Sequence, residues 1–296
     1  MQIKVGFIGA GIVGTALAVR LSQAGFPVTA VFSLSLTSAQ RLAGMVADCR
    51  VCEAAQDVAD QAELVLITTP DDIIPEVAAE VNWRANQSVV HCSGAASLDI
   101  LEPAKRAGAR VGSFHPCQTF ASISRAIENL PGSTFGIEAE EPLLTTLKGM
   151  ATALGGNWME LRPGDKALYH AAAVFACNYL VTLIKIATDL FGRFGVSTPE
   201  ATKALMPLLR GTVDNIDSIG LPNCLTGPIA RGDLSTIGKH LAALREREPS
   251  LLSLYRELGL NTVPIALAKG TIDRAIAKKM QALLGNSNGE GGERPR

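Results

Sequence analysis

The opening of the chain constrains its fold more than any other segment. A short apolar run, Lys4 to Ile8, breaks into Gly9-Ala10-Gly11-Ile12-Val13-Gly14. An amphipathic stretch continues to about Ala24, Gly25 interrupts it, and a second apolar run follows from Val28 to Phe32. This is strand, turn, helix and strand, with G-x-G-x-x-G at the turn, the context in which that motif binds a dinucleotide. Gly9 makes the tight turn, Gly11 lets the backbone approach a pyrophosphate, and Gly14 lets helix and strand pack closely. The helix N-terminus offers unpaired N–H groups and partial positive charge to the phosphates, so residues 9 to 14 form the expected phosphate cradle.

After the second strand comes Ser33-Leu34-Ser35-Leu36-Thr37-Ser38, with Arg41 a little beyond. An acid here would hold a ribose 2′-hydroxyl and repel a 2′-phosphate. None is present, so the expected cofactor is NADP, with Ser33 and Ser35 among its contacts; NAD stays open. Thr37 or Ser38 also reads as the cap of a helix over Ala39 to Ala47.

Leu64 to Thr68 is a continuous apolar run, the pattern of a parallel strand covered on both faces. It leads into Thr69-Pro70-Asp71-Asp72, where Thr69 and Pro70 face the cofactor in this fold; alternatively Asp71 or Asp72 caps the next helix. Ser88 to His91 predicts a further strand, followed by Cys92-Ser93-Gly94, and Arg110 to Phe114 another, ending in His115-Pro116-Cys117. Ligands bind beyond the carboxyl ends of such strands, which makes Ser93, Gly94 and His115 candidates, whereas His91 reads as a hydrogen-bonded core residue. A metal set of His91, Cys92, His115 and Cys117 is conceivable in principle, but no metal is expected. Thr134 to Ile137 and Asn157 to Leu161 predict strands around a helix, Glu140 to Leu154.

At Arg162-Pro163-Gly164-Asp165 strand signals cease. Helices are expected over about 165–192, 199–217, 234–246, 249–258 and 262–284, and Gly285 onward is polar and Gly-rich. The fold class is therefore α/β: a doubly wound, mostly parallel sheet in residues 1–163, an all-helical substrate and dimerisation domain in 164–285, and a disordered tail in 286–296.

With 296 residues, 47% hydrophobic and 19% charged, two domains can each bury a core. The net charge of −1, with both signs scattered, argues against a nucleic-acid or polybasic membrane role. Ala167 to Ile184 carries no formal charge, yet it contains Tyr169, His170, Asn178 and Thr182 and lies between Lys166 and Lys185, so it reads as a helix covered by protein rather than lipid. The first strand starts almost at the initiator Met, so no signal peptide is expected. With six cysteines, an intracellular, reduced, cytoplasmic protein is expected, and Cys49-Arg-Val-Cys52 reads as ordinary thiols.

Two stretches of the helical half carry polar groups that a bland core does not need. In Tyr169-His170…Asn178, the histidine and asparagine differ by about 80° around a helix and about 12 Å along it, so they cannot grip one atom; they read either as the lining of a groove or as two satisfied polar groups inside a helix bundle. In Leu225-Thr226-Gly-Pro-Ile-Ala-Arg231-Gly-Asp233, glycine and proline suggest a shaped loop. Arg231 suits a carboxylate or phosphate, or pairs locally with Asp233, which also reads as a helix cap.

Taken in order, Gly9 to Gly14, Pro70-Asp71, His91-Cys-Ser-Gly-Ala95, Ser113-Phe-His-Pro116 with Phe120, Tyr169-His170…Asn178 and Leu225-Thr-Gly-Pro…Arg231-Gly-Asp233 resemble a Rossmann-like reductase family whose helical C-terminal half is a domain of unknown function. That family is related to 6-phosphogluconate dehydrogenase, pyrroline-5-carboxylate reductase and ketopantoate reductase. The resemblance covers almost the whole chain. It implies a 6-phosphogluconate-dehydrogenase-like helical domain, a homodimer, and NADP-dependent reduction of a small keto or imino acid, ketopantoate-like substrates included, in an interdomain cleft. Relatives with a Lys-x-x-x-Asn helix use the lysine; here Val174 stands at that position, and His170 is the nearby titratable replacement. Leu34 stands where NADP-specific relatives often have arginine. The implied catalytic set is His170, Asn178 and His115, with either histidine as proton donor, and Ser93, Thr226, Arg231 and Asp233 are the implied substrate contacts. The alternative is a nucleotide-binding regulatory protein without turnover.

Overall fold

The computed structural model describes residues 3–285; the tail expected over 286–296 lies outside the described residues. The chain divides into two compact units at Leu183/Ile184.

The first unit runs β1 (Val5–Ile8), α1 (Ile12–Gln23), β2 (Val28–Phe32), α2 (Leu36–Gly44), β3 (Arg50–Val51), α3 (Ala55–Gln61), β4 (Leu64–Ile67), α4 (Ile74–Glu80), β5 (Ser88–His91), α5 (Glu102–Arg106), β6 (Arg110–Cys117), α6 (Ile123–Asn129), β7 (Thr134–Ala139), α7 (Leu143–Ala153), β8 (Asn157–Glu160) and α8 (Lys166–Ala176). The strands form one sheet in the order β3-β2-β1-β4-β5-β6-β7-β8. All neighbours are parallel except β6 and β7. The first six follow the doubly wound dinucleotide-binding order. Alternate residues feed two cores. Phe7, Leu66, Val90, Phe114 and Phe135 lie in one, and Ile8, Val65, Ile67 and Val89 in the other. Burial on both faces explains why the strands read as unbroken apolar runs.

Three local expectations are corrected. The helix after β2 starts at Leu36 rather than Ala39, because Ser35 is the cap and its Oγ accepts from Ser38 N at 3.3 Å. β6 runs on through His115 to Cys117 instead of ending at Phe114. Its parallel neighbour stops at His91, but β7 pairs with it antiparallel, Pro116 opposite Phe135 and Cys117 opposite Thr134. The apolar run after Lys166 is two helices, α8 and α9 (Asn178–Gly192), separated at Cys177. The strands end before residue 163, where the sequence pattern changes. The compact unit continues to Leu183, since the first turns of α8 pack on the sheet.

The second unit, from Ile184, comprises the rest of α9, then α10 (Thr198–Ile219), α11 (Gly227–Ala230), α12 (Leu234–Arg247), α13 (Leu252–Lys269) and α14 (Arg274–Gly285). Its core contains Ile237, Val263, Ala266, Met280 and Leu284. The break expected near residue 260 is absent: α13 continues to Lys269 and ends at Gly270, whose φ of 78° is left-handed. Gly259 serves packing instead. A Cβ there would stand 2.9 Å from a Leu284 methyl, so its smallness seats α14.

Candidate functional site

The first unit carries two features that converge on the carboxyl ends of its parallel strands. One is the turn between β1 and α1. Gly9 has φ 106°, and a Cβ on it would lie 2.6 Å from the Thr68 carbonyl carbon. A Cβ on Gly14 would collide with the Thr68 hydroxyl and lie 2.7 Å from Gly9 O. These two glycines are required by the fold itself. Gly11, the exposed N-cap of α1, has nothing within 4 Å of such a Cβ. A cavity of about 840 Å³ opens over this turn, and Gly9, Ala10, Gly11, Ile12, Ser33, Ser35, Thr69 and Pro70 line it, together with Arg41. Val13 and Gly14 lie in the first turn of α1 and are not among the residues lining the cavity. Arg41 donates to Ala10 O at 3.2 Å, which ties its guanidinium to the turn.

The second feature gathers around Gly94, just past β5. A Cβ on Gly94 would stand 2.7 Å from His170 Cδ2 and 2.8 Å from His115 Nε2, so the bare backbone lets the two imidazoles approach one turn. Their ring centroids are 6.3 Å apart. His115 Nδ1 meets the Tyr169 hydroxyl at 2.8 Å, and Gly136, opposite His115 in the sheet, makes room for the Tyr169 ring. Ser93 Oγ donates to Asp71 Oδ2 at 2.6 Å, so Asp71 clamps the turn, and the N-cap position of α4 is Ile73 rather than Asp71 or Asp72. Ser93 N donates to His91 Nδ1 at 3.2 Å.

Beneath this turn lies a residue that sequence reasoning treated only as the charge flanking an apolar run. Lys166 is 2% exposed, and its Nζ donates to Ser93 O at 2.5 Å. Burial holds its ammonium down at about 8, opposed by the charges of Glu138, Cys92 and Asp71. Burial, with Lys166 and His170 nearby, pushes His115 down to about 4 despite Asp71. His91 falls to about 3 through burial, Lys166 and His115. Burial also raises the Tyr169 phenol. At neutral pH the cluster therefore holds neutral His91 and His115, a protonated phenol and a charged lysine. The one sequence signal for Lys166 was its place, four residues before His170, at the mouth of the helix carrying that histidine.

The structure thus brings Ser93, Gly94, His115 and His170 together, with Tyr169 and Lys166 added. Asn178 opens α9 and is exposed. In the second unit Thr226 is the N-cap residue of the short α11 and is exposed; Arg231 follows that helix and is exposed. Asp233 caps α12: its two oxygens accept from Thr236 N at 3.0 Å and Thr236 Oγ1 at 2.7 Å. No cluster of three or more His, Cys, Asp or Glu side chains suited to a metal occurs among the described residues.

A Rossmann-like domain model matches residues 1–116, and a model described as DUF2520, a domain of unknown function, matches residues 133–262. Among solved structures, a protein from Bacteroides fragilis described as a candidate NADP oxidoreductase is 26% identical, with a TM-score of 0.70 over 89% of this chain and 98% of its own. Protein TM1727 from Thermotoga maritima is also 26% identical, with a TM-score of 0.75 over 90% of this chain and 99% of its own. A reductive aminase from Aspergillus terreus, in complex with NADPH and ethyl-5-oxohexanoate, shares the fold at 17% identity, with a TM-score of 0.62 over 98% of this chain and 95% of its own. No curated protein matches the chain.

Proposed function

We propose that this chain, a Rossmann-like domain followed by a DUF2520 domain, is an NADP(H)-dependent reductase acting on a small keto or imino acid. The observation that carries the reading is the meeting of His115, His170, Tyr169 and Lys166 around Gly94, in the same compact unit as a dinucleotide-type turn. The residues fit the cofactor. Gly11 faces open space that no part of the fold requires, over a cavity large enough for a dinucleotide arm. Amides of Gly11 to Val13 would hold the diphosphate, and Ser33, Ser35 and Arg41 the 2′-phosphate, with Thr69, Pro70, Ser93 and Gly94 toward the nicotinamide end. Bound there, NADPH supplies hydride.

The chain's own groups supply the rest. A Tyr169 phenol donating to Nδ1 leaves the His115 proton on Nε2, the atom beside Gly94. Neutral at physiological pH, His115 orients and polarises a carbonyl oxygen or imine nitrogen rather than ionising. We assign proton delivery to His170, across the same glycine. Lys166 fixes the Ser93 carbonyl and adds positive field, which favours an acidic substrate. The rival reading, a regulatory nucleotide binder, rested on the absence of lysine at 174. A buried ammonium reaching the site from residue 166 favours catalysis. The test is single turnover with NADPH across a panel of keto and imino acids. Loss of nicotinamide absorbance, abolished in His170→Ala with cofactor binding intact, is the expected result. Tight NADPH binding with no oxidation by any member would favour the rival.

We also propose a homodimer. Leu168, Phe175 and Val181 on α8 and α9 are 78%, 70% and 69% exposed, and Leu208 on α10 is 68% exposed. The 27-residue stretch Lys166–Gly192 is long and apolar enough to cross a membrane. Its first turn, however, is occupied by Lys166, Tyr169 and His170 packing on the sheet, so a second copy of the chain is the better cover. A monomer in sedimentation at micromolar concentration would count against it.

A further inference from the structure

Three buried polar side chains stand in a row under the site. His91 on β5 is in register with Ser113 on β6, and Ser113 with Glu138 on β7. Residues in register point to the same face of a sheet. They are 0%, 0% and 5% exposed, and His91 Nε2, Ser113 Oγ and Glu138 Oε2 have no hydrogen-bond partner among the described residues. Two residues earlier on β5 and β6 the same face carries Val89 and Val111, packed in an apolar core. The row therefore interrupts a face that is otherwise apolar, and unpaired buried polar atoms are costly enough that native folds seldom leave them dry.

The chemistry of the row is complementary. Ser93 N–H occupies His91 Nδ1, so the neutral ring carries its proton on Nε2, a donor. The Ser113 hydroxyl donates and accepts, and the Glu138 carboxylate accepts. Lys166 has three N–H bonds, of which Ser93 O takes one. Glu138 is the leading charge holding the Lys166 ammonium up against burial. Burial pushes the Glu138 carboxyl up, and the Lys166 charge is what opposes that rise. Yet no direct ion pair joins them among the described residues. The other charged or titratable groups here are Asp71 and Cys92, which act on Lys166, His91 and His115, on which Lys166 acts, with His170 beyond His115, and Asp99 and Asp165, which act on Glu138.

We propose that Glu138 is the counter-charge of Lys166, joined to it by ordered water held on Ser113 and His91, and that this couple positions the Ser93–Gly94 turn. Glu138 is thus a positioning residue that acts through Lys166. Its effect on turnover rests on the reductase reading, but the couple itself does not.

The test uses the full chain. The Lys166 Nζ resonance, assigned with Lys166→Arg, is followed by NMR against pH in the wild type and in Glu138→Gln. The midpoint is expected to fall by about one pH unit when the carboxylate is removed. The high-pH limb of kcat should fall with it, and Glu138→Asp should restore both. A midpoint that stays put overturns the couple, even if Glu138→Gln has lost activity for other reasons. If the midpoint moves while no substrate is ever reduced, the couple stands and the reductase reading fails. Should Glu138→Gln not fold, a high-resolution crystal structure of the wild type decides. Water contacting both Ser113 Oγ and Glu138 Oε2 is expected, and a dry row refutes the proposal.

Discussion

Lys166 and Ser93 lie 73 residues apart in the chain, and a buried ammonium-to-carbonyl hydrogen bond of 2.5 Å joins them. That bond holds the turn on which Gly94 meets His115 and His170, so the first turn of α8 is part of the site rather than a linker to the helical half. Several consequences can be measured.

The glycines of the opening turn should separate fold from ligand. Gly14→Ala should destabilise the protein by about 1–3 kcal/mol, because its methyl would strike Thr68 and Gly9 O. Gly11→Ala should cost only about 1 kcal/mol or less, the loss of an N-cap glycine, since its methyl meets nothing among the described residues. The same methyl would stand where a pyrophosphate must approach, and NADPH affinity should fall at least roughly tenfold. Calorimetry and thermal melts on the pair decide it; equal affinity in Gly11→Ala and wild type would remove the dinucleotide assignment.

Arg41→Gln should reduce the preference for NADPH over NADH by roughly tenfold or more, the worth of a charge-assisted phosphate contact. NADH affinity should change little. Competition between 2′,5′-ADP and 5′-AMP reads this without turnover, and unchanged discrimination would place the 2′-phosphate elsewhere.

Gly94→Ala introduces a methyl between two imidazoles, 2.7 and 2.8 Å from their nearest ring atoms. The side chains must separate, so kcat should fall far more than the melting temperature. A variant that melts early but turns over normally would show that the approach of the two rings is incidental.

Acid should unfold the protein through its buried histidines. His91 and His115 titrate in the fold at about 3 and about 4 against an unfolded value of 6.5. Above 6.5 both states are neutral and there is no linkage. As pH falls from 6.5 toward 4 the unfolded chain takes up protons the fold refuses, so stability declines, by a few kcal/mol at about pH 4 for His115. Chemical denaturation of His115→Gln over that window should show a shallower decline than the wild type; parallel curves would contradict the assignment.

Alkali should act in the opposite sense through Lys166, which titrates at about 8 in the fold against 10.5 unfolded. Between those values the unfolded chain binds more protons, so this residue's contribution to stability rises with pH there. The wild-type minus Lys166→Met difference in unfolding free energy should climb across that interval by an amount on the order of 3 kcal/mol. A flat difference would mean the ammonium is not desolvated.

The sequence by itself determined the local grammar. Apolar runs four or five residues long, bounded by turn residues, fit buried parallel strands, and glycines at 9, 11 and 14 between two such runs fit a close turn into a helix. Ser93, Gly94 and His115 were legible as site residues because any strand end in such a sheet opens toward the same edge. What pairs across the chain was not legible. The extension of β6 past Phe114 depended on an antiparallel partner. The break expected between 258 and 262 is absent: the helix runs on to Lys269, and Gly259 inside it leaves room for Leu284. Lys166 entered only as a charge bounding an apolar run, and Glu138 lay just past the strand expected over Thr134 to Ile137 and was singled out by nothing in the sequence. Tertiary packing alone decided that both are buried on one face with His91 and Ser113, because burial and register are set by which elements meet, and no run of neighbouring residues encodes that.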